Sequence, residues 1–183
     1  MPLADDLLAH SRELLSGSPK EIHLRRAVSA AYYALFHLLA SSVAEQISPD
    51  SPIGLRGRTQ RALDHGQMAT AARNFLSPGK SPSNLPKDIG FTGVISPGLA
   101  KVAKSFANLQ EARYVADYDV LDATGKINLD WASECLVIAE AAFRDWNVEK
   151  DSEGARVFLA ALILSKHWGK ESGFQSISNK KTS

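Results

Sequence analysis

The sequence predicts an all-α protein, a bundle of about five to six helices. Apolar residues recur three and four positions apart through most of the chain, whereas the alternation typical of β-strands is scarce. The chain has 183 residues, 44% of them hydrophobic, which is the usual size of one domain and enough to bury one core. We therefore expect a single helical domain over residues 1–168.

Three helices are expected in the first half of the chain. The first covers residues 3–15 and ends at 16–19, where glycine and proline stop it. The second covers residues 20–46. Its segment 30–39 is apolar on nearly every side, so this helix should lie at the centre of the bundle. A third helix, rich in Arg, Gln and Ala, is expected over residues 57–75.

Prolines, glycines and serines predict a long loop over residues 76–96. At its end, Ser96 and Pro97 match an N-cap followed by a proline at the first helical position. The remaining helices are expected over residues 97–119, 128–147 and 152–168. Residues 169–183 contain almost nothing apolar, and we expect this tail to be disordered.

Composition excludes several classes of protein. A formal net charge of +1, from 21 basic and 20 acidic residues, gives no global field toward nucleic acid or membranes. The single cysteine, Cys135, excludes a disulfide framework and is predicted to be a small core residue. The five histidines lack ligand-like spacing, so neither a metal nor a cofactor is predicted. Without an apolar run of about 20 residues, we expect a cytoplasmic protein that does not enter the membrane.

An arginine interrupts the apolar seam of the helix predicted over residues 97–119. The seam consists of Leu99, Val102, Phe106, Leu109, Ala116 and Val120. Arg113 falls on it, and a buried arginine is costly unless it is paired. Asp117, one turn on, can supply the pair. Two interpretations stay open: a structural ion pair, or an arginine that binds phosphate in a cleft or two-fold interface, with Asp117, Tyr114 or Tyr118 beside it.

The second helix carries a polar stripe within its apolar background. Arg26, Tyr33 and His37 are separated by seven and four residues, so they share one face. A histidine in such a setting is usually a hydrogen-bonded core residue. If His37 met Arg113 across helices, however, the two would suit phosphodiester chemistry.

Basic residues also cluster around the third predicted helix. Arg56, Arg58, Arg61 and Arg73 surround His65. This cluster is either a solvated face or a strip that contacts RNA phosphates, since Arg61 and His65 lie one turn apart on a continuous helix.

Three segments together resemble the HEPN superfamily (higher eukaryotes and prokaryotes nucleotide-binding domain). They are residues 25–37 (RRAVSAAYYALFH), 61–66 (RALDHG) and 109–119 (LQEARYVADYD), and the resemblance spans roughly residues 3–147. It implies an up-and-down bundle of four to five helices that commonly dimerises through the helices bearing the late arginine. Many members are metal-independent endoribonucleases of toxin–antitoxin, phage-defence and CRISPR-associated systems.

The catalytic signature of that family is an arginine followed, after four to six residues, by a histidine. Arg113 matches the arginine, but residues 118–120 contain no histidine. A proton-transfer group would then have to be Asp117, Tyr118 or His37. Because an aspartate beside an arginine is ionised and a poor acid, we expect weak or lost nuclease activity.

The favoured hypothesis is a HEPN-like, homodimeric RNA- or nucleotide-binding protein of a prokaryotic defence or toxin–antitoxin system. Its partner would be a cognate antitoxin or a nucleotidyltransferase-type protein. The residues assigned to phosphate contacts are Arg26, Tyr33, Arg61 and His65. The alternative is a non-catalytic, dimerising interaction module in which Arg113 and Asp117 are structural. A third hypothesis is an active ribonuclease that uses His37.

Overall fold

The computed structural model describes residues 2–47, 49, 53–119 and 125–164. Over these residues the protein has seven α-helices, two short 3-10 helices and no β-strand, which confirms the all-α prediction. The α-helices are α1 (Pro2–Leu14), α2 (Glu21–Ile47), α3 (Ile53–Arg61), α4 (His65–Ala72), α5 (Pro97–Tyr118), α6 (Leu129–Glu149) and α7 (Glu153–Leu164).

Helix α2 lies at the centre, as predicted, and contacts α1, α5, α6 and α7. Alanines such as Ala27, Ala31 and Ala34 are completely buried along it, and their small side chains let the neighbouring helices approach. Within the described residues, α2 alone is long and apolar enough to cross a membrane by length and composition. However, 72% of its most apolar stretch is buried inside the bundle, as in a core helix.

The prediction of one continuous helix over residues 57–75 is wrong. The chain leaves helical geometry after Arg61, and Asp64 adopts an extended backbone and caps α4. Its side chain accepts a hydrogen bond of 2.8 Å from the backbone N–H of Gln67. Asp64 followed three residues later by Gln67 is the sequence signature of such a helix start. As a result His65 is the first residue of α4 and lies on a different helix from Arg61.

Helix α5 begins as predicted. The Ser96 hydroxyl accepts a hydrogen bond from the N–H of Leu99, and Pro97 occupies the first turn. The seam residues Leu99, Val102, Phe106, Leu109 and Ala116 are all buried, whereas the predicted seam residue Val120 lies outside the described residues.

The segment 76–96 is a long loop, as predicted, with one 3-10 turn at Lys87–Ile89. Backbone hydrogen bonds of 2.8 Å join its two ends, from Gly79 N–H to Ile95 and from Ile95 N–H to Lys80. Ile95 is buried and anchors the loop to the core. The last predicted helix is described to Leu164, and the tail predicted over residues 169–183 lies outside the described residues.

Candidate functional site

Arg113 and Asp117 form the ion pair that their spacing predicted. The Nε atom of Arg113 lies 2.7 Å from Oδ2 of Asp117, and the two side chains are 19% and 20% exposed. The other carboxylate oxygen accepts a hydrogen bond of 2.6 Å from the hydroxyl of Ser29, on α2. The buried Nε–H makes no aligned hydrogen bond, so this contact is electrostatic rather than directional.

Tyrosine rings surround the guanidinium. Its Nη2 donates a hydrogen bond of 3.2 Å to the hydroxyl of Tyr33. The guanidinium carbon lies 6.0 Å from the ring centre of Tyr32 and 5.6 Å from those of Tyr33 and Tyr118, distances typical of cation–π contacts. Burial acts to lower the pKa of Arg113, but Tyr33 and Asp117 outweigh it and raise the pKa, so the side chain stays charged.

The same tyrosines contact a histidine. The hydroxyl of Tyr32 lies 2.6 Å from Nδ1 of His65. The imidazole stacks on Phe36, with ring centres 4.1 Å apart, and meets Tyr33 edge-on at 5.8 Å. Ser29, Tyr32, Tyr33, His65, Arg113 and Asp117, which we call the Arg113–His65 cluster, therefore join α2, α4 and α5.

The environment fixes the protonation of the histidine and its tyrosine partner. Tyr32 is completely buried, and burial raises the pKa of its phenol, which stays neutral. Burial and then the positive charge of Arg113 lower the pKa of His65 below 6.5, so the imidazole is neutral near pH 7. A neutral imidazole has two tautomers here: either the phenol donates to Nδ1 and the ring proton is on Nε2, or Nδ1–H donates to the phenol oxygen and Nε2 can accept. No described residue forms a hydrogen bond with Nε2.

His37 does not form the pair with Arg113 that the sequence allowed. Its ring packs edge-on against Phe36 at 5.3 Å and, among the described residues, forms no hydrogen bond with Arg113. Its charge, if protonated, would lower the pKa of His65, because the two imidazoles are near each other. The histidine that shares Tyr32 and Tyr33 with the arginine is His65.

Two residues of the predicted polar stripe on α2, Tyr33 and Arg26, lie in different environments. Tyr33 joins the cluster, whereas Arg26 is exposed and lines a groove beside it. The residues of the predicted basic strip do not form one surface. Arg61 is exposed on α3, and Arg73 forms a 2.8 Å ion pair with Glu111. The side chain of Arg56 lies outside the described part of the chain.

Ser29 and Tyr32 were missed as site residues from sequence. Ser29 is a polar residue in an apolar helix, one turn before Tyr33. This position could have identified it as a candidate site residue on the same helix face. Tyr32 could not be distinguished from an ordinary core aromatic residue in the sequence, because its ring belongs to the core and only its hydroxyl takes part in the cluster.

Cys135 is the buried core residue predicted, and burial raises the pKa of its thiol to about 12.

The lowered pKa values of His65 and His37 predict loss of stability in acid. Both imidazoles have folded-state pKa values below 6.5, so between those values and 6.5 the unfolded chain binds more protons. The free energy of unfolding should therefore be lower at about pH 5.5 than at about pH 7.5, as measured by urea denaturation.

The matched control is His10, which is exposed on α1. His65→Gln should reduce the difference in unfolding free energy between the two pH values, and His10→Gln should not reduce it, because His10 is not buried. Equal pH dependence in wild type and His65→Gln would contradict the burial argument.

Comparisons with protein-family models, curated proteins and solved structures found no match to this chain. The resemblance to the HEPN superfamily therefore stays a prediction drawn from the residues. Among the described residues, no group of three or more His, Cys, Asp or Glu side chains could hold a metal ion.

Proposed function

We propose that this protein binds single-stranded RNA through a phosphate held at the Arg113–His65 cluster and cleaves it slowly without a metal. One observation carries the proposal: Arg113 and His65 contact the same two tyrosines, Tyr32 and Tyr33, so a permanent cation lies close to a titratable imidazole. A cation and a proton-transfer group side by side are the requirements for phosphodiester chemistry.

Stability alone is a weak explanation for this cluster. Replacing a buried ion pair by apolar side chains of similar size is often neutral or stabilising. The cluster nevertheless introduces a charged pair, a serine and a histidine at the junction of three helices that otherwise contribute mainly apolar residues to the core. Such departures from an apolar core are concentrated at functional sites.

Binding would use the donors that the cluster leaves free. The Nη1 group of Arg113 makes no hydrogen bond with any described residue, and Nε2–H of His65 is likewise available. Both are donors suited to phosphate oxygens. Asp117 offsets the charge of Arg113, so the attraction at this point is short-range and the affinity depends on direct hydrogen bonds.

In the cleavage step, the 2′-oxygen of the ribose attacks phosphorus and the bond from phosphorus to the 5′-oxygen breaks. His65 accepts the 2′-hydroxyl proton at Nε2 and passes it to the departing 5′-oxygen, leaving a 2′,3′-cyclic phosphate. Accepting at Nε2 requires the Nδ1–H tautomer, which Tyr32 permits because a phenol both donates and accepts. The lowered pKa makes His65 a weak base, so the reaction should be slow.

The biological setting belongs to the same proposal and depends on the HEPN resemblance. On the basis of this resemblance, the protein would be a homodimer in the cytoplasm of a prokaryote, in a defence or toxin–antitoxin system. The partner would be an antitoxin or a nucleotidyltransferase-type protein. Tyr114, which is exposed on α5, is compatible with such an interface near the cluster.

The direct test is incubation of the full-length protein with labelled single-stranded RNA in EDTA. We expect binding by fluorescence anisotropy and slow formation of a 2′,3′-cyclic phosphate end. RNA with methylated 2′-hydroxyls should be bound and left intact, because it lacks the nucleophile. Affinity should fall with salt, with a slope of about −0.7 for each phosphate neutralised. Failure to bind RNA at physiological salt would overturn the proposal.

A second candidate is the dimerising interaction module, in which Arg113 and Asp117 are structural. The observation that favours it is that both charges already have protein partners: Arg113 is 19% exposed and contacts Asp117 and Tyr33, while Ser29 donates a hydrogen bond to the carboxylate. This candidate predicts no RNA binding in the same experiment.

A further inference from the structure

A groove lies where the first turn of α2 faces the last turn of α5. It encloses about 460 Å³, within the range of small-molecule sites. Ile22 and Arg26 line it from α2, and Asp117 and Tyr118 line it from α5. Because Asp117 and Tyr118 also contact Arg113, the groove opens directly beside the Arg113–His65 cluster.

Among the described residues, the charged side chains of the groove include one cation without a partner. Arg25 is held in place, because its Nε donates to Glu21 at 2.7 Å and its Nη1 donates to the carbonyl of Ala116 at 3.0 Å. Asp117 is paired with Arg113. Arg26 is exposed and forms no ion pair or hydrogen bond with any described residue. Within the described part of the chain, the groove therefore presents one available guanidinium, suited to an anion.

The same groove presents an aromatic surface. Tyr118 is 58% exposed, and its ring centre lies 5.1 Å from that of Tyr114, which is 65% exposed. Ile22, on the α2 side of the groove, is 53% exposed. Exposed aromatic rings near an available cation are surfaces on which unpaired bases can stack.

We infer that this groove binds one nucleotide unit, with the base packed against Tyr118 and Ile22 and the phosphate at Arg26. The inference rests on the proposed function, since the unit would be the neighbour of the nucleotide whose phosphate lies at Arg113. The chemistry is shared by a free nucleoside monophosphate and by a residue of an RNA strand. Adjacency to the cluster predicts that the strand binds more tightly than the free nucleotide.

The test compares Tyr118→Ala, Tyr118→Phe and Arg26→Ala with wild type, using short single-stranded RNA and uridine monophosphate as separate probes. Tyr118→Ala should weaken RNA binding about 10-fold without changing its salt dependence, because stacking is lost. Tyr118→Phe should bind like wild type. Arg26→Ala should weaken binding about 3-fold and reduce the slope of log K against log salt by about 0.7.

The matched control for lost charge is Arg144→Ala, exposed on α6, which should change neither affinity nor salt slope. If Tyr118→Ala and Arg26→Ala bind RNA as tightly as wild type while Arg113→Ala does not, the groove inference is overturned and the proposed function survives. If Tyr118→Ala and Arg26→Ala weaken uridine monophosphate binding while Arg113→Ala leaves RNA binding intact, the groove stands and the proposed function fails. If Tyr118→Ala changes only the sedimentation behaviour, the groove contacts a second protein copy, which also overturns the inference.

Discussion

His65→Ala is expected to lower the rate of RNA cleavage by about 10²- to 10⁴-fold, the usual contribution of a positioned acid–base group. The reason is that His65 is the titratable side chain that the fold brings to Arg113, with Nδ1 fixed by Tyr32 and Nε2 unoccupied by any described residue. Affinity for RNA should fall much less, because Arg113 remains. The measurement is single-turnover cleavage with saturating protein in EDTA.

The control is His37→Ala, which removes the neighbouring imidazole but no bond of the Arg113–His65 cluster, and its rate should stay within a few-fold of wild type. Because His65→Ala leaves the buried hydroxyl of Tyr32 without a partner, it should also cost about 1–3 kcal/mol of unfolding free energy. Rates are therefore compared well below the melting temperature of each variant. Undiminished cleavage by His65→Ala, or loss in His37→Ala alone, would remove His65 from the mechanism.

Tyr32 acts through His65 and is a positioning residue. Its buried ring packs against Phe106, with ring centres 5.7 Å apart, so the direction of the phenol is set by the core. The oxygen then fixes the imidazole from the opposite side to Nε2. In the proposed mechanism, the core between α2 and α5 thus determines where the proton would be transferred.

The features that could be predicted from sequence are those that depend on neighbouring residues. The three-and-four spacing around Arg113 predicted both its burial and its pairing with Asp117, because positions one turn apart must be adjacent on a helix. The start of α5 followed from Ser96 and Pro97 for the same reason. The start of α4 was equally predictable from Asp64 and Gln67. The Arg, Gln and Ala residues on either side, however, favour a helix and predicted one continuous helix across this point.

The choice between His37 and His65 could not be made from sequence. Tyr32 and His65 are 33 positions apart, and Ser29 and Asp117 are 88 apart, so their contacts depend on how three helices pack. Helical periodicity fixes which face of α2 a residue occupies and leaves open which element covers that face. Only the break before His65 turns α4 so that its first residue meets Tyr32.

Arg113→Ala is expected to reduce RNA affinity by about 10- to 100-fold, because a hydrogen bond to a charged group contributes about 1.5–3 kcal/mol. The variant also removes the cation beside the carboxylate of Asp117, which keeps its hydrogen bond from Ser29, and leaves the hydroxyl of Tyr33 without its donor. Since the Asp117 side chain is 20% exposed, water compensates part of this loss, and we expect the unfolding free energy to fall by about 1 kcal/mol. Fluorescence anisotropy and urea denaturation measure the two effects.

The double variant Arg113→Ala/Asp117→Ala separates binding from stability. Removing both charges eliminates the carboxylate that has lost its cation, so the unfolding free energy should recover in part; the recovery is incomplete because the buried hydroxyl of Ser29 loses its acceptor. RNA affinity should stay low because the phosphate donor is still absent. Arg73→Ala, which breaks the exposed pair with Glu111, is the matched control and should alter neither property appreciably. Suppose instead that the double variant regains the RNA affinity, the unfolding free energy and the dimerisation, measured by sedimentation, that Arg113→Ala loses. Arg113 and Asp117 would then have a structural role, and the result would favour the interaction module.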